Sequence, residues 1–249
     1  MYSLLTRGSG CCEQIQPVEA CVSTSSANSS EGFFQCNWSG PRSRVTRCQT
    51  VSGRQGRPSA RVVRAAKKWL EATTRVKAVW LNTDGRHAGR MTFKWPHDPE
   101  NYSFDLGGIL HLGHFDGDYF VGESKKYTNA SNNQGAEYRS FLGKCYATEQ
   151  LMPALYNHYM WITWHPFSVT DWSILQMPNY VTRGVLDEYK RVLGCASRAE
   201  GEAKLDHDAI AQVSSKLWMI VLSDKQEQLV ITPENRKLVY GHAAEEGTL

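Results

Sequence analysis

The 249-residue sequence lacks the cysteine spacings of a zinc module and the N-terminal basic-then-apolar pattern of a secreted chain. Five of its seven cysteines fall within the first 48 residues, without a C-x-x-C pair and with no histidine among them, so a zinc site is weakly supported. A disulfide framework is typical of secreted proteins, and the missing signal-like pattern argues against it. We therefore expect reduced thiols in a cytoplasmic protein.

The sequence also has little net charge, and that charge is unevenly placed. Residues 1–57 contain six arginines, no lysine and three acids, which accounts for the formal charge of +3 of the whole chain. The remaining residues hold 22 of the 28 basic and 22 of the 25 acidic side chains. Net charge alone therefore does not indicate a nucleic-acid partner, and any such binding must come from local patches.

A long apolar run is missing as well. Residues 150–170 carry no charged side chain, which raises the question of a membrane span. Two prolines, two histidines and an asparagine within this stretch argue against a transmembrane helix, and no other segment resembles one. We expect no membrane partner.

The composition divides the chain near residue 58. Residues 1–57 are rich in serine, glycine and arginine and have little periodic apolar pattern. We predict a flexible or disordered segment there, with a small metal-stapled module as the alternative. Residues 58–249 are predicted to form one domain, with a core at about 59–164 and a C-terminal extension at 165–249.

The apolar periodicity of residues 59–164 predicts the order helix, strand, strand, strand, helix, strand. Both element types alternate, so we expect an α/β fold with a mixed central sheet and flanking helices. An Asp-Gly pair between two β-prone runs predicts a hairpin. The predicted elements are a helix at Ser59–Thr73, β-type runs at Val76–Leu81, Arg90–Trp95, Phe104–Leu112 and Tyr119–Tyr127, helices at Gln134–Leu151 and Thr182–Leu193, strands at Tyr159–Trp164, Leu217–Leu222 and Gln228–Ile231, and helices that begin at His207 and Pro233.

A basic stripe marks one face of the first predicted helix, and it consists of Arg61, Arg64, Lys67 and Lys68. Such a stripe is either an ordinary solvated surface or one that contacts phosphate groups. We keep Arg61, Arg64 and Lys68 as weak candidates for phosphate contacts.

The predicted hairpin carries the residues that point to chemistry. Glu123 and Lys125 are two apart on a strand, so their side chains project to the same face. Asp105, on the partner strand, comes within reach of the same end of the sheet. Two carboxylates beside a lysine suit Mg²⁺, which polarises a phosphodiester and activates water, while the lysine stabilises developing charge. A plain ion pair for Glu123 and Lys125, and a loop position for Asp105, are the alternatives.

These residues resemble the PD-(D/E)xK nuclease superfamily, whose core has the same order of elements. Asp105 matches the metal-binding aspartate of that family, although phenylalanine rather than proline precedes it. Glu123-Ser124-Lys125 matches the (D/E)xK motif. The resemblance implies that Asp105 and Glu123 hold metal and that Lys125 acts in catalysis.

A second motif lies in the helix after the hairpin. Gln134 and Tyr138 match the Q-x-x-x-Y pattern of the branch similar to RecB and lambda exonuclease, which implies that both orient the site. Their alternatives are a helix cap for Gln134 and an ordinary core aromatic for Tyr138. Glu71 loosely matches an additional acid of the family's first helix.

The resemblance implies a Mg²⁺-dependent deoxyribonuclease that hydrolyses DNA phosphodiesters in defence, repair or recombination, with Mn²⁺ as a substitute metal. Three alternatives stay open within this interpretation. The substrate could be RNA, the enzyme could act as an exonuclease rather than an endonuclease, and the active form could be a homodimer. Two other functions stay open: a non-catalytic nucleic-acid-binding or adaptor protein on the same scaffold, and a hydrolase of a different phosphate ester. Binding of a divalent metal separates the nuclease from the non-catalytic scaffold.

Overall fold

The computed structural model describes residues 60–127 and 133–246, and seven α-helices and seven strands form within them. The helices are α1 (Ala60–Ala72), α2 (Gln134–Leu151), α3 (Pro178–Asp187), α4 (Tyr189–Leu193), α5 (Arg198–Ala203), α6 (His207–Lys216) and α7 (Pro233–Glu245). The strands are β1 (Val76–Leu81), β2 (Thr92–Lys94), β3 (Asn101–Ser103), β4 (Leu106–Leu110), β5 (Tyr119–Lys125), β6 (His158–Thr163) and β7 (Leu217–Val221).

A five-stranded mixed sheet forms the centre of the fold, in the order β1-β4-β5-β6-β7. The first three of these strands are antiparallel neighbours, whereas β5, β6 and β7 run parallel. The change of direction follows from the connections, because a short turn joins β4 to β5 while α2 crosses back before β6. The predicted α/β class, with a mixed central sheet flanked by helices, is confirmed.

The central sheet separates two hydrophobic clusters. Side chains alternate along β5, so Phe120 packs on the face covered by α1, and Val121 packs on the face covered by α2. Glu123 and Lys125 have the same parity as Val121. Their side chains therefore face α2, on the opposite side of the sheet from α1.

Several elements have the bounds that the sequence predicts. Both β1 and α2 begin and end at the expected residues. α6 begins at His207 because the Asp206 carboxylate accepts hydrogen bonds from the backbone N–H groups of Asp208 and Ala209. Gly194 follows the last residue of α4 with a left-handed φ of 64°, which ends that helix.

Two predictions in the C-terminal extension are wrong. Residues Gln228–Ile231 do not form a strand, and a 3₁₀ turn at Gln226–Leu229 stands there. Leu229 is 80% exposed, so this short apolar run has no sheet face against which to pack. The single helix predicted at Thr182–Leu193 is two helices, α3 and α4, which meet where Glu188 leaves helical geometry.

The strand predicted at Arg90–Trp95 is shorter and lies elsewhere than in the central sheet. Only Thr92–Lys94 is extended, and it pairs with β3 in a separate two-stranded sheet. Three residues are too few to reveal the period of β3 in the sequence.

The predictions for residues 1–57, a flexible segment or a metal-stapled module, lie outside the described residues. Among the described helices, none has the length and apolar character needed to cross a membrane. Cys145 and Cys195 are free and buried.

Candidate active site

Asp105 stands in the bend just before β4, one residue outside the strand on which it is predicted, and its carboxylate interacts with that of Glu123 on β5. The register of β4 and β5 ends with Leu106 opposite Gly122, and Asp105 and Glu123 are the next residues on the two sides of this pair. The backbone N–H of Asp105 donates to the Gly122 carbonyl (3.0 Å). The Asp105 carboxylate oxygen Oδ2 accepts from the N–H of Ser124 (3.0 Å). The hairpin thus holds the Asp105 carboxylate beside Glu123.

Two lysines bind the buried Glu123 carboxylate. Lys125, on the same face of β5, places its Nζ 3.2 Å from Oε2 of Glu123. Lys144 enters from α2 and donates to Oε1 of Glu123 (2.5 Å). Lys125 Nζ also lies 3.5 Å from a carboxylate oxygen of Glu137. With Asp105, the cluster contains three acids and two bases.

Burial and charge shift the pKa values of this cluster in different directions. Burial, together with the neighbouring Glu123, raises the pKa of Asp105 to about 7. Burial alone would raise the pKa of Glu123 too, but Lys144 and Lys125 outweigh it and lower that pKa. The pKa of Lys125 is raised, because three nearby carboxylates outweigh its burial. Near neutral pH, Glu123 and Lys125 are therefore charged, and Asp105 readily loses its proton to an added positive charge.

Gln134 lies next to this cluster, at the carboxyl ends of β5 and β6. Its amide nitrogen donates to Thr163 Oγ1 (2.6 Å) and to the His165 carbonyl (3.0 Å). Thr163 is the register partner of Lys125, which places Gln134 beside the lysine end of the motif. The buried Oε1 of Gln134 has no hydrogen-bond partner among the described residues. A buried acceptor without a partner is costly, so this oxygen is ready to receive a donor.

Tyr138, by contrast, is part of the core. Its hydroxyl donates to the backbone carbonyl of Leu175 (2.9 Å), and its ring packs edge-on against Trp161 at a centroid distance of 5.3 Å. The side chain is fully enclosed on the α2 side of the sheet. The structure therefore brings Gln134 to the carboxylate cluster, whereas the Tyr138 hydroxyl is engaged elsewhere.

The candidates on α1 lie on the other face of the sheet. Glu71 forms ion pairs with Lys67 (3.3 Å) and with Arg236 of α7 (3.8 Å), so the structure does not bring it to Glu123. The basic candidates Arg61, Arg64 and Lys68 are exposed along the outer side of α1, and within residues 60–127 and 133–246 none of them forms an ion pair.

A cleft of about 460 Å³ leads from the surface to Asp105. The first turn of α1, the loop after β1 and the β2–β3 hairpin form its walls. Its polar lining consists of Asp105 and five further residues, Asn82, Thr83, Thr92, Asn101 and Ser103, together with the aromatic Tyr102. Glu123 is not part of the lining, so a molecule in the cleft would meet the Asp105 carboxylate first.

The donor set decides which metal could bind at this site. Within the part of the chain that the structure describes, no group of three or more histidine, cysteine, aspartate or glutamate side chains is arranged to hold a metal ion. Asp105 and Glu123 supply two carboxylates. Mg²⁺ is usually bound by one or two carboxylates together with waters and substrate phosphates, so this pair of hard oxygen donors fits Mg²⁺.

Sequence reasoning missed two residues of the cluster, Glu137 and Lys144. Both are on α2, seven residues apart and therefore on one face of that helix. Their contacts with Lys125 and Glu123 show that this face looks onto the motif. The helical spacing from Gln134 indicates both residues, but only when it is known which face of α2 packs on β5.

Comparison with known proteins adds little. No family model and no curated protein matches the chain. A solved structure of the Moraxella osloensis Cap4 SAVED/CARF-domain containing receptor aligns with 68% of this chain at 8% sequence identity and a TM-score of 0.29. The alignment covers 33% of that receptor, so this chain spans about a third of its length. A likeness this weak supports no conclusion about fold or activity.

Proposed function

We propose that this chain is a metal-dependent nuclease of the PD-(D/E)xK kind that hydrolyses DNA phosphodiester bonds. One observation carries the proposal: Asp105, Glu123 and Lys125 converge at one end of a mixed sheet, beside a polar cleft that opens on Asp105. The bend before β4 supplies the Asp105 carboxylate and β5 supplies that of Glu123, while the alternation of side chains along β5 places Lys125 on the same face as Glu123.

The two carboxylates are the proposed ligands for Mg²⁺, with Mn²⁺ as a substitute. A divalent cation held there supplies Lewis acidity toward a phosphodiester and acidifies a bound water. Asp105 suits the role of a metal ligand. Burial beside Glu123 raises its pKa to about 7, and a nearby cation would lower this pKa by favouring the carboxylate form.

Lys125 would act as a cation rather than as a base. Its raised pKa keeps the side chain protonated at neutral pH, so it cannot accept a proton from water. An ammonium group held by Glu123 and Glu137 instead stabilises negative charge as it builds up on a phosphate group. Gln134 would fix the carboxyl end of β6 through Thr163 and the His165 carbonyl and would offer its free Oε1 to a donor.

Substrate would reach Asp105 through the cleft. Ala60 of α1 forms part of the wall, and Arg64 lies one helical turn further along the same side of α1. We propose that Arg61, Arg64 and Lys68 contact phosphate groups of DNA next to the cleft, because all three are exposed and without an ion-pair partner among the described residues.

The test compares Mg²⁺-dependent cleavage of plasmid and oligonucleotide DNA by wild type, Asp105→Ala, Glu123→Ala and Lys125→Ala. All three variants are expected to lose cleavage, and Lys125→Ala is expected to keep metal binding. Glu202→Ala is the matched control, because Glu202 begins another E-x-K sequence but is exposed on a helix. Wild-type cleavage by Glu123→Ala, or an equal loss in the control, would refute the proposal.

A second candidate is a non-catalytic nucleic-acid-binding or adaptor protein. One observation favours it: a lysine lies on each of the two carboxylate oxygens of Glu123. The negative charge of Glu123 is therefore already compensated without a metal ion. A calorimetric titration with Mg²⁺ and Mn²⁺ distinguishes the two candidates. DNA binding without metal binding would support the scaffold, and metal binding abolished by Glu123→Ala would support the nuclease. For either function we propose a cytoplasmic location, in keeping with the free thiols of Cys145 and Cys195.

A further inference from the structure

Lys144 lies on one of the two carboxylate oxygens of Glu123, the residue proposed above as a metal ligand. Its Nζ donates to Oε1 of Glu123 (2.5 Å) and to the backbone carbonyl of Ser103 (3.3 Å). The lysine comes from the middle of α2, and its side chain is only 19% exposed. We infer that Lys144 is a built-in counter-ion that holds Glu123 in the metal-free protein and withdraws when a divalent cation binds. This inference rests on the proposed nuclease function.

Lys144 is better placed to withdraw than Lys125. Besides Glu123 and Asp105, Lys125 pairs with Glu137, which is not a proposed metal ligand, so Lys125 keeps a carboxylate partner after a metal arrives. Among the described residues, Lys144 forms an ion pair with Glu123 alone, interacts with the Asp105 carboxylate at longer range, and donates its other hydrogen bond to an uncharged carbonyl. Losing contact with one carboxylate therefore removes the main attraction on the Lys144 ammonium.

The structure also provides a place for the displaced ammonium. Ser103, whose carbonyl already accepts from Lys144, lines the cleft that opens on Asp105. A lysine side chain has four flexible carbons and three donor hydrogens, so its amine can turn toward the cleft without any movement of α2. A substrate phosphate in that cleft would give the ammonium a new partner.

Displacement has a consequence for metal affinity. A cation at Glu123 must compete with an ammonium for the same oxygen and is repelled by its charge. A cation that binds Glu123 must first break the charged hydrogen bond from Lys144. Removing the Lys144 charge should therefore tighten metal binding by roughly tenfold or more. The metal-free wild type therefore binds the cation more weakly than its two carboxylates would allow.

The experiment is a calorimetric titration of the full chain with Mn²⁺, repeated with Mg²⁺. Lys144→Met and Lys144→Gln, which remove the charge, are expected to bind Mn²⁺ at least roughly tenfold more tightly than wild type. Lys144→Arg keeps the charge and should retain weak binding. Two neutral variants are used so that a folding defect in one, seen by circular dichroism, does not decide the result.

Lys216→Met is the matched control. Lys216, the last residue of α6, forms a comparable buried ion pair with Glu149 of α2 (2.7 Å), a carboxylate outside the Glu123 cluster. It should lose thermal stability while the Mn²⁺ affinity stays at the wild-type value.

The outcomes separate the inference from the proposed function. Unchanged or weaker binding in both neutral variants, with measurable binding in wild type, would overturn the role of Lys144 and leave the nuclease standing. Absence of binding in wild type and in every variant would overturn the metal-dependent function and this inference with it.

Discussion

Asp105→Asn should stabilise the metal-free protein at alkaline pH and have little effect at acidic pH. The pKa of Asp105 is raised from 3.8 to about 7 in the folded state. Between these values the folded chain binds more protons than the unfolded chain, so its stability falls as pH rises. Above pH 7 the full penalty applies, because Asp105 is then ionised in both states.

The size of the effect follows from the shift. Three pKa units correspond to about 4 kcal/mol, which is an upper limit because water in the cleft screens the charge. A gain of about 2 kcal/mol for Asp105→Asn at pH 8 would raise the melting temperature by roughly 4–8 °C in a protein of this size. At pH 5 the carboxyl group is protonated in the folded state, and the asparagine should change little.

The assay is thermal unfolding with a chelator at pH 5 and pH 8, for wild type, Asp105→Asn and Glu202→Gln. Glu202 is an exposed acid, so its variant reports the pH dependence of an ordinary carboxyl group. At pH 8, saturating Mg²⁺ should raise the melting temperature of wild type, whereas that of Asp105→Asn should stay the same. The difference in melting temperature between wild type and Asp105→Asn should be larger at pH 8 than at pH 5. An equal difference at both pH values would show that the pKa of Asp105 is not raised in the folded protein.

Three further outcomes follow from the geometry. In a cleavage assay, Gln134→Ala should cleave more slowly than wild type while keeping its fold. In urea denaturation, Tyr138→Phe should lower the free energy of unfolding by only about 1 kcal/mol, because it loses the hydrogen bond to Leu175. Tyr138→Ala should lower it by about 3–5 kcal/mol, because the ring is lost as well. Glu71→Ala should cleave within about twofold of wild type in the same assay, because its partners are Lys67 and Arg236 and not the carboxylate cluster, and the loss of a surface pair has small effects. Arg64→Ala should weaken DNA binding and lower the slope of log affinity against log salt by about 1, measured by fluorescence anisotropy, and an unchanged slope would remove Arg64 from the phosphate contacts.

The hairpin and the first half of the sheet were predictable because their signals are local. An Asp-Gly turn between β-prone runs and the two-residue spacing of Glu123 and Lys125 specify which side chains share a face. The same reasoning places Asp116 and Asp118 in the turn, away from Glu123, and the structure pairs them there with His111 (2.9 Å) and His158 (3.0 Å).

The rest of the site depends on packing that periodicity does not encode. Gln134 and Tyr138 are one helical turn apart, yet the amide meets Thr163 while the phenol hydroxyl meets Leu175. Which of them reaches the motif is decided by how α2 lies across β5 and β6. Lys144 was missed for the same reason, since a lysine in the middle of a helix is ordinarily solvated.

Crystals soaked with Mn²⁺ show whether Asp105 and Glu123 bind a metal ion, because anomalous scattering locates the ion without relying on activity. We expect a peak between Asp105 and Glu123, within about 2.0–2.6 Å of a carboxylate oxygen of each. Lys144 Nζ should have left Oε1 of Glu123, and Glu123→Ala crystals should show no peak there. A wild-type map without a peak at these carboxylates, and with both lysines still on Glu123, would contradict the proposed metal site.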